Sequence, residues 1–171
     1  MKRQVAWLSI AMVLVASLLR TQPVQAVSVN DDSVQPSDFF KDFPAVKFGM
    51  SFADAKKAVA AAGAVPLGSE QRQTELTWDG KFNDMSGRAT LLFKDGVGLW
   101  EIAVVLNAMD KRREVFDAWS KKISDKVGTP AHAESMDHIS RKWDLADKVE
   151  IELRLIKDDE SPVVDIHWVK N

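Results

Sequence analysis

The chain has 171 residues, of which 46% are hydrophobic and 28% charged, and it contains no cysteine. This length suffices for one domain or two very small ones, and the composition is that of a folded globular protein. The lack of cysteine excludes disulfides, thiolate metal sites, cysteine nucleophiles and cysteine-linked lipid anchors, and a net charge of −2 argues against a nucleic-acid-binding surface.

Residues 1–26 have the pattern of a secretory signal peptide. Lys2 and Arg3 form a basic start, the 15 residues from Val5 to Leu19 are almost wholly apolar, and Pro23 and Ala26 precede the expected cleavage point. A transmembrane helix needs about 20 apolar residues, so an uncleaved anchor is the alternative, not the first choice. We predict Sec-type export, cleavage after Ala26, and a periplasmic or secreted mature chain of a bacterial envelope, with no stable membrane span. Loss of the three basic residues of the signal leaves 20 basic and 25 acidic residues, a net charge of −5.

Residues 27–46 are predicted to be a leader segment that begins polar and ends aromatic. Four phenylalanines fall within ten residues at its end: Phe39, Phe40, Phe43 and Phe48. Such a density of aromatic side chains is expected to lie against the domain, and an exposed docking segment is the alternative.

Residues 47–109 predict one helix and three strands. Ser51 is a good N-cap, and Gly63 supplies the left-handed residue that ends the helix. The strands are expected over 74–78, 88–93 and 97–106. The third strand is apolar on both faces apart from Glu101, which is typical of a strand that is central or covered on both sides.

Residues 110–171 predict a second helix and further strands. The helix, over 110–127, carries an apolar stripe that consists of Phe116, Trp119, Ile123 and Val127. The strands are expected over 131–136, 139–143, 148–156 and 162–169. Between Val149 and Leu155 apolar and charged residues alternate, which indicates a sheet with one face on a core and one in water.

The two halves correspond in order and spacing. The matching positions are Gly63 and Gly128, Trp78 and Trp143, Lys94 and Lys157, and Ile102 and Ile166, at separations of 65, 65, 63 and 64 residues. We therefore predict an α+β fold in which one helix followed by an antiparallel β-meander is repeated in tandem, with the helices on one face of the sheet and residues 27–171 in one compact domain. The alternative is that any two helix-plus-meander segments look alike.

Short motifs in both halves support a family resemblance. Phe48-Gly49-Met50-Ser51 opens an alanine-rich helix that ends at Gly63, and the hairpin of residues 91–96 follows later. This pattern resembles the SmpA/BamE-like envelope proteins, and a tandem pair of such units resembles the β-lactamase inhibitor protein. The resemblance implies a small envelope interaction domain, although the lipobox cysteine of the assembly lipoproteins is missing.

Residues with catalytic or metal-binding chemistry are sparse. The one candidate metal cluster consists of His132, Glu134, Asp137, His138 and His167, and metal sites need three or four convergent ligands. The chain has no Gly-x-Ser-x-Gly nucleophile motif and no phosphate-binding loop. We predict no enzyme activity, no cofactor and no metal.

The outward face of the predicted sheet differs between the halves. The second half places charged residues there: Glu150, Glu152, Arg154, Asp165 and His167. The first half places mostly apolar residues there, and together with Trp143, which is flanked by charges and expected to be partly exposed, they form the predicted partner-binding set of Leu92, Leu99, Glu101, Ala103, Val105 and Trp143. The other tryptophans of the mature chain, Trp78, Trp100, Trp119 and Trp168, are expected in the core. The alternative is that the Phe39–Phe48 segment covers this face.

These patterns predict a non-catalytic protein-interaction domain of the inhibitor or envelope-assembly type, whose partner is another envelope protein. One alternative is a carrier of a small apolar ligand or sugar between helix and sheet. A second is a hydrolase that uses His138 or His167.

Overall fold

The computed structural model describes residues 34–68, 73–157 and 163–171, which form two α-helices and seven β-strands. The predicted signal peptide and its cleavage site, the first part of the leader and most of the turn after Lys157 lie outside these ranges. The helices are α1 (Phe52–Ala61) and α2 (Arg112–Val127). The strands are β1 (Glu75–Phe82), β2 (Met85–Lys94), β3 (Gly98–Asn107), β4 (Ala131–Glu134), β5 (His138–Asp144), β6 (Val149–Ile156) and β7 (Val163–Lys170). The predicted α+β class is confirmed.

All seven strands belong to one antiparallel sheet with the order β1-β2-β3-β7-β6-β5-β4. The last strand of each half lies in the middle of the sheet, because β3 pairs with β7 and places Ala103 opposite His167. The two predicted meanders therefore share a single sheet. None of the helices in the described ranges is both long enough and apolar enough to span a bilayer.

The helices begin and end at the signals that the sequence carries. The Ser51 hydroxyl accepts a hydrogen bond from the Asp54 backbone N–H at 3.2 Å, which caps α1. Gly63 and Gly128 follow α1 and α2 with φ of 76° and 98°, a region that glycine enters at low cost. Both helices cover the same side of the sheet, which we call the helix face.

The helix face holds the hydrophobic core. Phe116, Trp119 and Ile123 of α2 are buried in it, as the helical stripe predicts. The core residues from the sheet alternate with outward-facing ones along each strand and include Trp78, Leu91, Ile102, Val104, Ile151, Leu153, Ile166 and Trp168. Burial of this surface is the main source of stability in such a domain.

The aromatic N-terminal segment also lies on the helix face. Phe40 is 1% exposed, and its ring contacts those of Phe82, Trp119 and Trp168. The Phe39 carbonyl accepts hydrogen bonds from Lys122 Nζ at 2.6 Å and from the Asn83 side-chain amide. The Phe39–Phe43 part of the leader is therefore part of the core and does not cover the opposite face of the sheet.

A β-bulge in β3 overturns two expectations. Leu92 pairs with Glu101 and Phe93 pairs with Leu99, so Trp100 is an extra residue in β3. The bulge shifts the alternation by one position. As a result Leu99, expected to face outward, is fully buried in the core, whereas Trp100, expected in the core, is half-buried and lies outside the core cluster.

Trp143 is also placed differently from the prediction. It is 2% exposed, and its indole Nε1 donates a hydrogen bond to the Gly128 carbonyl at 3.0 Å. Its charged neighbours in sequence suggested exposure. The side chain is buried because β5 lies between β4 and β6 and the end of α2 packs over it.

Candidate partner-binding face of the sheet

The face of the sheet opposite the helices, which we call the helix-free face, is built by the outward residues of the strands. Of the six residues predicted to bind a partner, four lie on it: Leu92, Glu101, Ala103 and Val105. Strand pairing places Leu92 beside Glu101, Thr90 beside Ala103, and Arg88 beside Val105. Leu99 and Trp143 lie on the helix face instead.

One part of the helix-free face is apolar. Leu92, Trp100, Val105 and Val169 are half-buried, and Ala103 is 8% exposed. These residues are separate from the core cluster on the other side of the sheet. We call this set the apolar strip. The sequence analysis missed the contribution of Trp100, and no local signal in the chain marks the bulge that moves it here.

The other part of the face is charged. Lys142 Nζ lies 3.2 Å from Glu150 Oε1 and 3.9 Å from Glu152 Oε1, and Arg154 contacts Glu152 directly. Burial acts to raise the pKa of Glu152, but the hydrogen bond from Arg154 and the charges of Arg154, Lys142 and His167 outweigh it, so the pKa is lowered. Glu152 is thus held in its ionised form although its side chain is 8% exposed.

His167 and Glu101 join the two parts. His167 Nδ1 lies 2.8 Å from Glu101 Oε1, and the two side chains are 17% and 15% exposed. The pair depends on the neighbouring positions of β3 and β7, which are 66 residues apart in sequence. Spacing along one strand could not have revealed it.

Asp165 is the least solvated carboxylate of the face. Burial raises its pKa, and the charges of His167 and Arg154 only partly oppose this. Its Oδ1 atom and the Nε of Arg154, on the neighbouring strand, are both buried without a hydrogen-bond partner. An acceptor in this position makes ionisation costly.

The histidines near the β4–β5 turn do not form a catalytic triad. Ser135 Oγ lies 2.9 Å from His138 Nδ1, and Asp137 Oδ1 lies 3.0 Å from the same nitrogen. A Ser-His-Asp triad requires the serine and the carboxylate on opposite ring nitrogens. Ser135 also bonds the backbone of His138, so this group stabilises the turn.

The helix side of β1 has a small cavity. It has a volume of about 220 Å³ and lies between Phe43, Pro44, Gly63 and Trp78. Sites for small molecules commonly have volumes of about 300–1,000 Å³. Within the described ranges, no three His, Asp or Glu side chains converge in a way that could hold a metal ion.

Comparison with known proteins gives no relative: no protein-family model, no curated protein and no solved structure matches the chain. The class of the protein therefore follows from its own fold, an α+β domain with one helix-free sheet face. The residues of that face are the evidence about its function.

Proposed function

We propose that the chain is an exported, non-catalytic protein-interaction domain that binds another envelope protein through its helix-free face. The observation that carries the proposal is the apolar strip of Leu92, Trp100, Ala103, Val105 and Val169, which lies outside the core on the face opposite both helices and the aromatic segment. Apolar side chains grouped on one outer face are typical of an interface.

We further propose that the fold arose by tandem duplication, and the strand registers support this. A shift of 65 residues takes Trp78 to Trp143, and their partners are Ala89 and Ile151. The partners of these two residues on the next strands are Val104 and Trp168, a separation of 64. Ile102 and Ile166, matched from sequence alone, have the same separation.

The segment after α1 supports the duplication independently. Leu67 forms an isolated antiparallel bridge with Thr77 of β1, next to the outer edge of the sheet. In the second half β4 takes the same place beside β5, where His132 pairs with Arg141. Each half then consists of a helix, a short edge segment and three longer strands, as in the tandem units that the SmpA/BamE-like and β-lactamase-inhibitor-like resemblance implies.

The duplicated halves differ on the helix-free face. One row across the sheet runs Thr77, Thr90, Ala103, His167, Glu152, Lys142. Its first three members are small and uncharged, and the last three can all carry charge. A duplicated sheet that is alike in its core and unlike on its outer face is expected when only the outer face has acquired a binding role.

Site-specific photocrosslinking in the native envelope tests the proposed function. A photoreactive residue at Val105 of the full-length exported protein should yield a discrete adduct with another protein. The same residue at Lys121, on the solvent side of α2 with a side chain 75% exposed, is the matched control and should not. Leu92→Asp should remove the Val105 adduct without unfolding the chain. Equal crosslinking at both positions, or an adduct that survives Leu92→Asp, would contradict the proposal.

A further inference from the structure

We infer that the helix-free face recognises its partner through a basic side chain, above all an arginine, held between Trp100 and Glu101. The inference rests on the proposed function and adds the chemistry of the partner. Three independent features of the face support it: the position of an indole ring, the position of a carboxylate, and the balance of charge.

The bulge in β3 places the indole. Because Trp100 is the extra residue, it and Glu101 together lie opposite Leu92. Trp100 is half-buried and outside the core, so part of its ring is accessible from the helix-free side. Partly exposed tryptophans are frequent anchors at the centre of interfaces.

Glu101 is a carboxylate of low exposure beside this ring. Its side chain is 15% exposed, and its direct ionic contact is with the His167 imidazole through Oε1. Arg154 acts on it only at longer range. Partial removal from water strengthens the attraction between such a carboxylate and an approaching cation.

The charges around Glu101 favour a basic partner. The charged part of the face and Glu101 contribute four carboxylates, Glu101, Glu150, Glu152 and Asp165, against two permanent cations, Lys142 and Arg154. Both cations are engaged with Glu150 or Glu152. The acidic excess is therefore concentrated on the side of Glu101 and Asp165, and an acidic partner surface would be repelled there.

Arginine suits this site better than lysine. Its planar guanidinium stacks on an aromatic ring and forms two parallel hydrogen bonds with a carboxylate, whereas lysine is a compact, strongly hydrated charge. An arginine stacked on Trp100 and bonded to Glu101 would also bring its neighbouring apolar side chains over Leu92 and Val105. The expected partner surface is an arginine surrounded by apolar residues.

Selection from a random 12-residue phage-displayed peptide library on the exported protein tests this inference. Enriched peptides should contain arginine next to apolar residues. Their synthetic forms should bind at least ten-fold more weakly to Glu101→Gln and to Trp100→Leu, and Arg→Lys in the peptide should weaken binding. Both substitutions in the protein conserve size or polarity, and circular dichroism checks that each variant is folded. Lys57→Ala, on the exposed side of α1, is the control and should bind like the wild type.

Several results would overturn the inference: acidic or uncharged enriched peptides, no enrichment at all, or binding that is unchanged in Glu101→Gln and Trp100→Leu. If enriched peptides lack a cation but still lose binding in Leu92→Asp, the face is an interface for a different chemistry and the proposed function stands. If they bind Leu92→Asp normally, both proposals fail.

Discussion

The rings of Phe40 and Trp119 lie with their centroids 4.6 Å apart, although one residue belongs to the N-terminal segment and the other to α2. Phe40 is 1% and Trp119 6% exposed. The contact ties a segment without regular secondary structure to the longest helix in the described part of the chain. The leader thus contributes to the stability of the domain.

Trp119→Ala and Phe40→Ala should each lower the free energy of unfolding by about 3–5 kcal/mol, because each leaves a large cavity in the core. The double variant should show a coupling energy of about 0.5–1.5 kcal/mol between the two rings. Denaturant unfolding of the four proteins measures both quantities. A loss below about 1 kcal/mol for Trp119→Ala would mean that the helix packs differently.

Trp143→Phe should destabilise the protein more than Trp168→Phe. The first change leaves the Gly128 carbonyl without its indole donor, at a cost of about 1–3 kcal/mol. The second removes an Nε1 donor that is buried without a partner, so it loses packing but relieves an unsatisfied group. Thermal or denaturant unfolding of the two variants decides the order, and the reverse order would contradict the hydrogen bond.

Asp165→Asn and Asp38→Asn should change the pH dependence of stability in opposite directions. The raised pKa of Asp165 means that the folded state loses stability as pH rises from the ordinary aspartate pKa of about 3.9 through the raised value. Asp165→Asn removes this loss, so the variant should gain on the wild type between acid and neutral pH.

For Asp38, burial acts to raise the pKa, but the hydrogen bonds from Lys126 and the Gln35 backbone outweigh it, so the pKa is lowered. Stability from Asp38 is present above pH 3.9 and is lost as pH falls through the lowered pKa. Asp38→Asn should therefore lose ground to the wild type from acid to neutral pH. Unfolding curves of the three proteins from pH 3 to 7 test both signs, and curves that stay parallel would contradict them.

Leu92→Asp and Leu99→Asp form a matched pair for the bulge. Leu92 lies on the helix-free face, and its substitution should cost no more than about 1.5 kcal/mol of stability. Leu99 is fully buried, so an aspartate there should cost more than about 4 kcal/mol or prevent folding. Circular dichroism and denaturant unfolding measure the difference. Similar losses at both positions would mean that the helix-free face is a second core.

N-terminal sequencing of the exported protein should return Val27, because the basic, apolar and small-residue regions of residues 1–26 follow the order of a cleaved signal. Fractionation should recover this form with the periplasmic or secreted proteins. Recovery of Met1 in the membrane fraction would support the uncleaved anchor instead.

The sequence by itself determined the features that depend on local spacing. Ser51 and Gly63 delimit α1, the stripe of Phe116, Trp119 and Ile123 is buried, and the meanders appear where alternation and turn residues predict them. These features were predictable because capping, helical periodicity and strand alternation act over a few residues. The outward positions of Leu92, Glu101, Ala103 and Val105 follow from the same alternation.

Only the tertiary structure decided which residues meet across the sheet. The bulge exchanges the expected places of Leu99 and Trp100, since Leu99 forms hydrogen bonds with Gly49 and Met50 beyond the end of β7. Trp143 is buried because the end of α2 lies over it, and His167 meets Glu101 because β3 and β7 are neighbours. Each of these depends on contacts between residues far apart in the chain, and local periodicity carries no information about such contacts.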